Sequence, residues 1–229
     1  MHKNTAKDIR MVTFEQIKND EAIKAYIAAA DASLCALGFT EHSSAHVTKV
    51  AEDTARILSV LGYDERCVEL AKIAGYIHDI GNLVNRVDHS QSGALMAFRI
   101  LDNMGMPPDE IATVVTAIGN HDEGTGVPVS PLAAAIILAD KSDVRRSRVR
   151  NSDFASFDIH DRVNYSVIRS SLNIDTAAKV VKLALEIDTT VSSIMDFFEI
   201  FLVRMNLCRK AAQKLELSFE LTINGQNFI

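Results

Sequence analysis

From residue 20 to about residue 143, apolar side chains return every three or four positions, in one segment after another, with glycines between the segments. A helix has about 3.6 residues per turn, so this spacing puts each segment's apolar residues on one face. Successive faces of this kind are buried by packing against each other, which predicts an all-helical bundle. In 21–37 the face is Ile23, Tyr26, Ile27, Ala30, Leu34 and Leu37, and Gly38 stops it. Residues 41–61 carry His46, Val50, Ile57, Leu58 and Leu61 and end at Gly62. A third helix is expected over 65–79. Ser90 is expected to cap a fourth, which ends near Gly105. Pro107 and Pro108 open a fifth, with Asp109 and Glu110 in the first turn, where the helix dipole favours acids. "EGTGVPVSP" (123–131) has loop composition, and 131–141 is another apolar helix.

After about residue 150 the period changes from helical to alternating. Val181, Leu183, Leu185 and Ile187 alternate with Lys182, Ala184, Glu186 and Asp188, as in a half-buried strand. Residues 163–173 are a weaker strand candidate. Ile194, Phe197, Phe198, Phe201, Leu202, Met205, Cys208, Ala212 and Leu215 mark a long amphipathic helix. Leu217, Phe219, Leu221 and Ile223 alternate again, before an Asn224-Gly225 turn. The expected fold is therefore mostly α. Residues 1–20 read as an N-terminal extension and 21–150 as the helical domain. Residues 151–229 read as a small α+β domain (strand, strand, helix, strand), with antiparallel strands packed on one long helix.

Composition narrows the function. A formal net charge of −6 argues against broad nucleic-acid or membrane-surface binding. No apolar run approaches a membrane span, and "MHKNTAKDIRMVTFEQ" lacks a signal-peptide core. Cys35, Cys67 and Cys208 lie far apart with no CxxC, which excludes a disulfide framework and fits a reducing cytoplasm.

What the apolar segments carry besides hydrocarbon is histidine and aspartate. Of seven histidines, His46, His78, His89 and His121 lie on or beside the helices of the first domain. His78 and Asp79 are adjacent at a helix end, in "AGYIHDIGN", and Asp140 ends the buried run "LAAAIILAD". A buried carboxylate needs a partner, and a metal ion is one; a salt bridge with Lys141 or an arginine is the plainer alternative. Imidazole nitrogen and carboxylate oxygen together suit divalent ions of intermediate hardness. His42, one turn before His46, is read as a helix-start hydrogen-bonding residue, and His2 and His160 as solvated surface residues.

"HVTKVA" from His46, "HDIGN" from His78 and "LADK" around Asp140 form an ordered set. Over roughly residues 41–150 this set resembles the HD superfamily of metal-dependent phosphohydrolases. The resemblance implies that His46, His78, Asp79 and Asp140 bind a divalent ion. His89 in "DHSQSGA" and His121 in "NHDEGTG" stand where dinuclear members carry further histidines, which implies a second ion with Asp79 as the bridge. Asp79 and His121 are then the expected catalytic residues. Asp122 replaces a second histidine of that pattern, and a ligand, a base and an exposed loop acid all remain open for it. Residues 121–143 also share part of the pattern of the HD-GYP subgroup. The chain differs from it in having Gly126-Val127-Pro128 without tyrosine, and Asn82 where that subgroup has lysine. Asn82 keeps a hydrogen bond but brings no charge to a phosphate.

"DKSDVRRSRVR" concentrates Lys141, Arg145, Arg146, Arg148 and Arg150. It is either a solvated face paired with nearby acids or, through Lys141 and Arg145, a contact for substrate phosphate. The function these features imply is a cytoplasmic, bacterial-type phosphohydrolase. It would use one or two ions of Fe, Mn, Mg or Zn to cleave a phosphoester bond in a nucleotide or related small phosphate compound. The C-terminal segment could gate the site, bind a regulator or form a homodimer. The rival expectation is a metal- or nucleotide-binding sensor on the same scaffold without turnover.

Overall fold

Short cap signals start the helices. In the computed structural model, which describes residues 10–229, α1 spans Phe14–Asn19, α2 Glu21–Ala36, α3 Ser44–Val60 and α4 Glu65–Ile77. These are followed by α5 His89–Met104, α6 Pro108–Gly119, α7 Pro131–Lys141 and α8 Ile159–Ser166. Strands β1 Val167–Asp175 and β2 Val180–Ile187 lead into α9 Ile194–Lys214, β3 Ser218–Ile223 and β4 Gln226–Asn227. The fold is mostly α. Residues 1–9 of the expected N-terminal extension, His2 among them, lie outside the described residues.

Ser43, Asp64 and Ser130 each accept a first-turn backbone N–H and so fix the starts of α3, α4 and α7. α5 starts differently from expectation. Asp88, in left-handed conformation (φ 56°), leads into it, and Ser90 lies buried inside the first turn, not at its cap. In α7 every residue from Leu132 to Ala139 is buried. A helix apolar all round belongs at the centre of a bundle, and α7 packs on α3, α4, α6 and α9.

The last third holds two surprises. Residues 159–166 are a helix, capped by Asp158, so β1 begins only at Val167. The sheet, in order β1-β2-β3-β4, is mixed and not wholly antiparallel: β1 and β2 pair antiparallel, but β2 and β3 run parallel. The reason is α9. A connection of that length carries the chain back to the starting end of the sheet, as parallel neighbours require. The alternation does set the buried face, where Val181, Leu183, Leu185 and Ile187 meet Phe219, Leu221 and Ile223. α9 packs on β2, β3 and α7, so its Phe197, Phe201 and Met205 join both parts of the chain in one continuous core. Among the described residues no helix is long and apolar enough to cross a membrane.

Candidate metal centre

Six side chains from five helices or their ends converge at one point. His46 lies in the first turn of α3, His78 caps the end of α4 with Asp79 next to it, and His89 begins α5. His121 follows α6, and Asp140 is in the last turn of α7. Two glycines bring these elements close. A Cβ on Gly75 would come within 2.8 Å of the Ala51 Cα, so bare backbone lets α4 press on α3. A Cβ on Gly81 would overlap the carbonyl oxygen of His89 and the amide nitrogen of Gly93. Only glycine lets the turn after Asp79 lie against the first turn of α5, which carries His89.

The two oxygens of Asp79 divide the histidines into pairs. Oδ2 lies 3.4 Å from His78 Nε2 and 3.7 Å from His46 Nε2. Oδ1 lies 3.3 Å from His89 Nε2 and 3.7 Å from His121 Nε2. Asp140 joins the first pair, its Oδ1 at 3.4 Å from His46 Nε2 and 3.8 Å from His78 Nε2. Asp122 stays at the edge, 3.8 Å from His89 Nε2.

The other ring nitrogens determine what the inner ones can do. The Nδ1 atoms of His78, His89 and His121 face the carbonyl oxygens of Gly75, Arg86 and Ile118 at 2.8, 3.1 and 2.6 Å. His46 Nδ1 faces the Asp143 carboxylate at 2.8 Å. A carbonyl or carboxylate oxygen only accepts, so each Nδ1 carries a proton, and each ring in its neutral form turns a lone pair inward. These lone pairs confront carboxylate oxygens and one another: His89 Nε2 and His121 Nε2 are 3.2 Å apart. His46 Nε2 and His78 Nε2 are buried with no hydrogen-bond partner. Acceptors packed against acceptors, away from water, lack a positive charge between them. A divalent ion fits that need. His46, His78 and Asp140 can hold one, and His78, Asp79 and His121 present a second overlapping set of donors.

The electrostatics agree. Burial pushes the Asp79 carboxyl up, but the His78, His121 and His89 imidazoles outweigh it and hold the group well below the usual carboxylate range. For Asp140, burial is outweighed by Lys141, His46 and His78, with the same result. Both carboxylates are charged at neutral pH. For His78, burial is outweighed by Asp79 and Asp140, and its pKa is raised. For His121, burial dominates and the pKa is lowered.

A cavity of about 270 Å³ opens beside Asp79, His89 and Asp140. Arg86, Lys141, Arg148 and Arg204 line it, and α8 and α9 contribute Asn164 and Phe201 to its wall. Lys141 stands at this wall but is already paired, 2.7 Å from Asp140 and 2.6 Å from Glu123. Arg145, expected to reach a substrate phosphate, instead spans Asp143 (2.9 Å) and Glu41 (3.3 Å), outside the cavity lining. α7 ends at Lys141, at the end of the 131–141 helix expected from sequence, and the chain turns before Arg145. His42 hydrogen-bonds the Thr40 carbonyl at 2.7 Å and also lines the cavity, as does the exposed His160.

Several residues escaped the sequence reading. Asp143 orients His46 and is itself held by Arg145 and Arg148. Glu123 joins Lys141 to Arg204 of α9, 2.9 Å away. Asn82, singled out in the sequence as a hydrogen-bonding residue, donates to the carboxylate of Asp79 at 3.1 Å.

The family model for the HD domain matches residues 44–145. An uncharacterized protein of Methanocaldococcus jannaschii is 24% identical over 64% of this chain, and the match spans 65% of that protein's own length. A crystal structure of a predicted HD superfamily hydrolase from an uncultured Thermotogales bacterium is 23% identical, with a TM-score of 0.42, over 59% of this chain and 75% of that one. The stretch that matches the HD-domain model, residues 44–145, holds all six converging side chains.

Proposed function

We propose that the protein is a metal-dependent phosphohydrolase acting on a small phosphate compound, of nucleotide size or below, in its cavity. One observation carries the reading: Asp79 offers one oxygen to His46 and His78 and the other to His89 and His121. A divalent ion held there supplies Lewis acidity, lowering the pKa of water and neutralising charge on phosphoryl oxygens.

The chain's own groups do the rest. His46, His78 and Asp140 would hold one ion, and His89 and His121 would offer donors to a second. Asp79 faces both sets and stays ionised. Asn82 donates to Asp79 and fixes the plane of its carboxylate. His121 is fully buried and absent from the cavity lining, so its part is to hold and not to exchange protons with substrate. Among the described residues lining the cavity there is no serine or cysteine, Thr40 brings the one aliphatic hydroxyl, and two carboxylates tie up Lys141. This reading assigns the attack to water. Phe201 and the α8 residues narrow the entrance and limit the size of what enters.

The test is elemental analysis of wild type and Asp79→Ala, purified without chelator and resupplied with Mn or Fe. Release of p-nitrophenol from p-nitrophenyl phosphate and its bis ester is measured in parallel. The expected result is one or two ions per wild-type chain, hydrolysis of at least one ester, and loss of both in the variant. A fully loaded wild type that cleaves neither ester refutes turnover and leaves a binding protein. A wild type that takes up no metal refutes the whole reading.

A further inference from the structure

We propose that Arg86 grips the substrate's phosphoryl oxygens, an inference that rests on the hydrolase reading above. Four cations line the cavity, and three already have carboxylates. Lys141 has Asp140 and Glu123, and Arg204 has Glu123 at 2.9 Å. Arg148 has the Asp143 carboxylate at 3.7 Å, and donates to the carbonyls of Glu41 and Asp143 at 2.8 Å. Arg86 has no carboxylate within ion-pairing distance among the described residues. Its Nη1 meets two weaker acceptors, Asn82 Oδ1 at 3.4 Å and His89 Nε2 at 3.3 Å, and its guanidinium lies over the Phe39 ring at 5.7 Å.

One of those acceptors is claimed elsewhere. A lone pair that His89 Nε2 gives to a metal ion is no longer available to Arg86. The Arg86 backbone stays beside His89, whose Nδ1 donates to the Arg86 carbonyl at 3.1 Å. A loaded centre thus keeps near it a guanidinium with unused donors and no carboxylate partner. A guanidinium meets phosphate oxygens in bidentate fashion, and this geometry suits an anion placed between Arg86 and Asp79. Asn82 links the two groups: its amide donates to Asp79 on one side and accepts from Arg86 on the other.

The experiment uses the full chain loaded with Mn, as wild type, Arg86→Ala and Arg86→Lys. Metal content is measured by elemental analysis and orthophosphate binding by titration calorimetry. The expected result is unchanged metal content, orthophosphate affinity roughly ten- to a hundredfold weaker in Arg86→Ala, and partial recovery in Arg86→Lys, which keeps the charge but loses the fork. Wild-type orthophosphate affinity in Arg86→Ala overturns the assignment and leaves the hydrolase reading intact. Loss of metal from both variants also overturns it, since Arg86 would then serve only to position His89. A loaded wild type that neither cleaves phosphoesters nor binds orthophosphate fails at the hydrolase reading itself, and the assignment falls with it.

Discussion

Replacing Asp143 with alanine removes a carboxylate that touches no substrate, yet two separate losses follow. The first is structural. Asp143 is 1% exposed and faces Arg148, 5% exposed, at 3.7 Å. Removing one partner of a buried pair costs about 3–5 kcal/mol, because the other charge stays behind. Here the lower end applies: Arg148 keeps two carbonyl acceptors, and the Arg145 contact is partly exposed and contributes little. At about 3 kcal/mol, a chain of this length loses roughly 6–12 °C in Tm. The second loss is in the metal centre. Without its acceptor at 2.8 Å, the His46 ring is free to rotate and to move its proton to Nε2. Loss of such an outer partner lowers metal affinity by about 10–100-fold. Calorimetric melts in chelator isolate the first effect, and Mn titration isolates the second. Asp143→Asn keeps an acceptor oxygen and is expected to recover most of the metal affinity but little of the Tm. A variant Asp143→Ala with unchanged Mn affinity would refute the orienting role, and an unchanged Tm in chelator would refute the buried-pair account.

Two further outcomes follow from the packing. Gly81→Ala must push the turn after Asp79 away from α5, because the new Cβ meets backbone that cannot swing aside. Denaturant melts are expected to show about 1–3 kcal/mol or more of destabilisation, with the His89 side of the centre emptied first in elemental analysis. Gly119→Ala, whose nearest neighbour is the Ala94 Cβ at 3.6 Å, is the tolerant control. Cys208 gives a pH signature: burial pushes its thiol up to about 12. An unfolded thiol ionises near pH 8.5, so this group's contribution is fully present below about pH 8.5 and is lost as pH rises toward 12. By about pH 10, wild type is expected to lose roughly 2 kcal/mol relative to Cys208→Ala, by denaturant melts referenced to pH 7; equal slopes for the two proteins would contradict it.

The helices were legible because burial repeats with the helical turn, and His78, Asp79 and Asp140 because they are polar residues at the ends of apolar stripes. His89 and His121 were singled out only through the family resemblance. α8 was missed because its eight residues carry few apolar side chains, and only docking buries Val163 and Ser166. The parallel pairing of β2 with β3 was missed for another reason. Alternation shows which residues face the core, but not which strand lies next to which or in what direction. Asp143 acquires its role only by meeting His46, 97 positions away in the chain. Arg86 sits in an irregular turn with no periodic mark. Of the two readings of the basic run, pairing with acids holds for Arg145 and Arg148, which meet buried Asp143, while Lys141 and Arg148 also line the cavity.

The six converging side chains lie between residues 46 and 140, while α8 and α9 supply Asn164, Phe201 and Arg204 to the cavity wall. On the function proposed above, selectivity can therefore evolve apart from chemistry. Mutations in the final third can enlarge, shrink or recharge the chamber without altering a single donor, so descendants of one ancestor can keep the same reaction and diverge in what they consume. The same separation makes α9 a natural target for redesign: exchanging Phe201 for a smaller side chain, or Arg204 for a neutral one, edits the guest list while the reacting centre stays as it is.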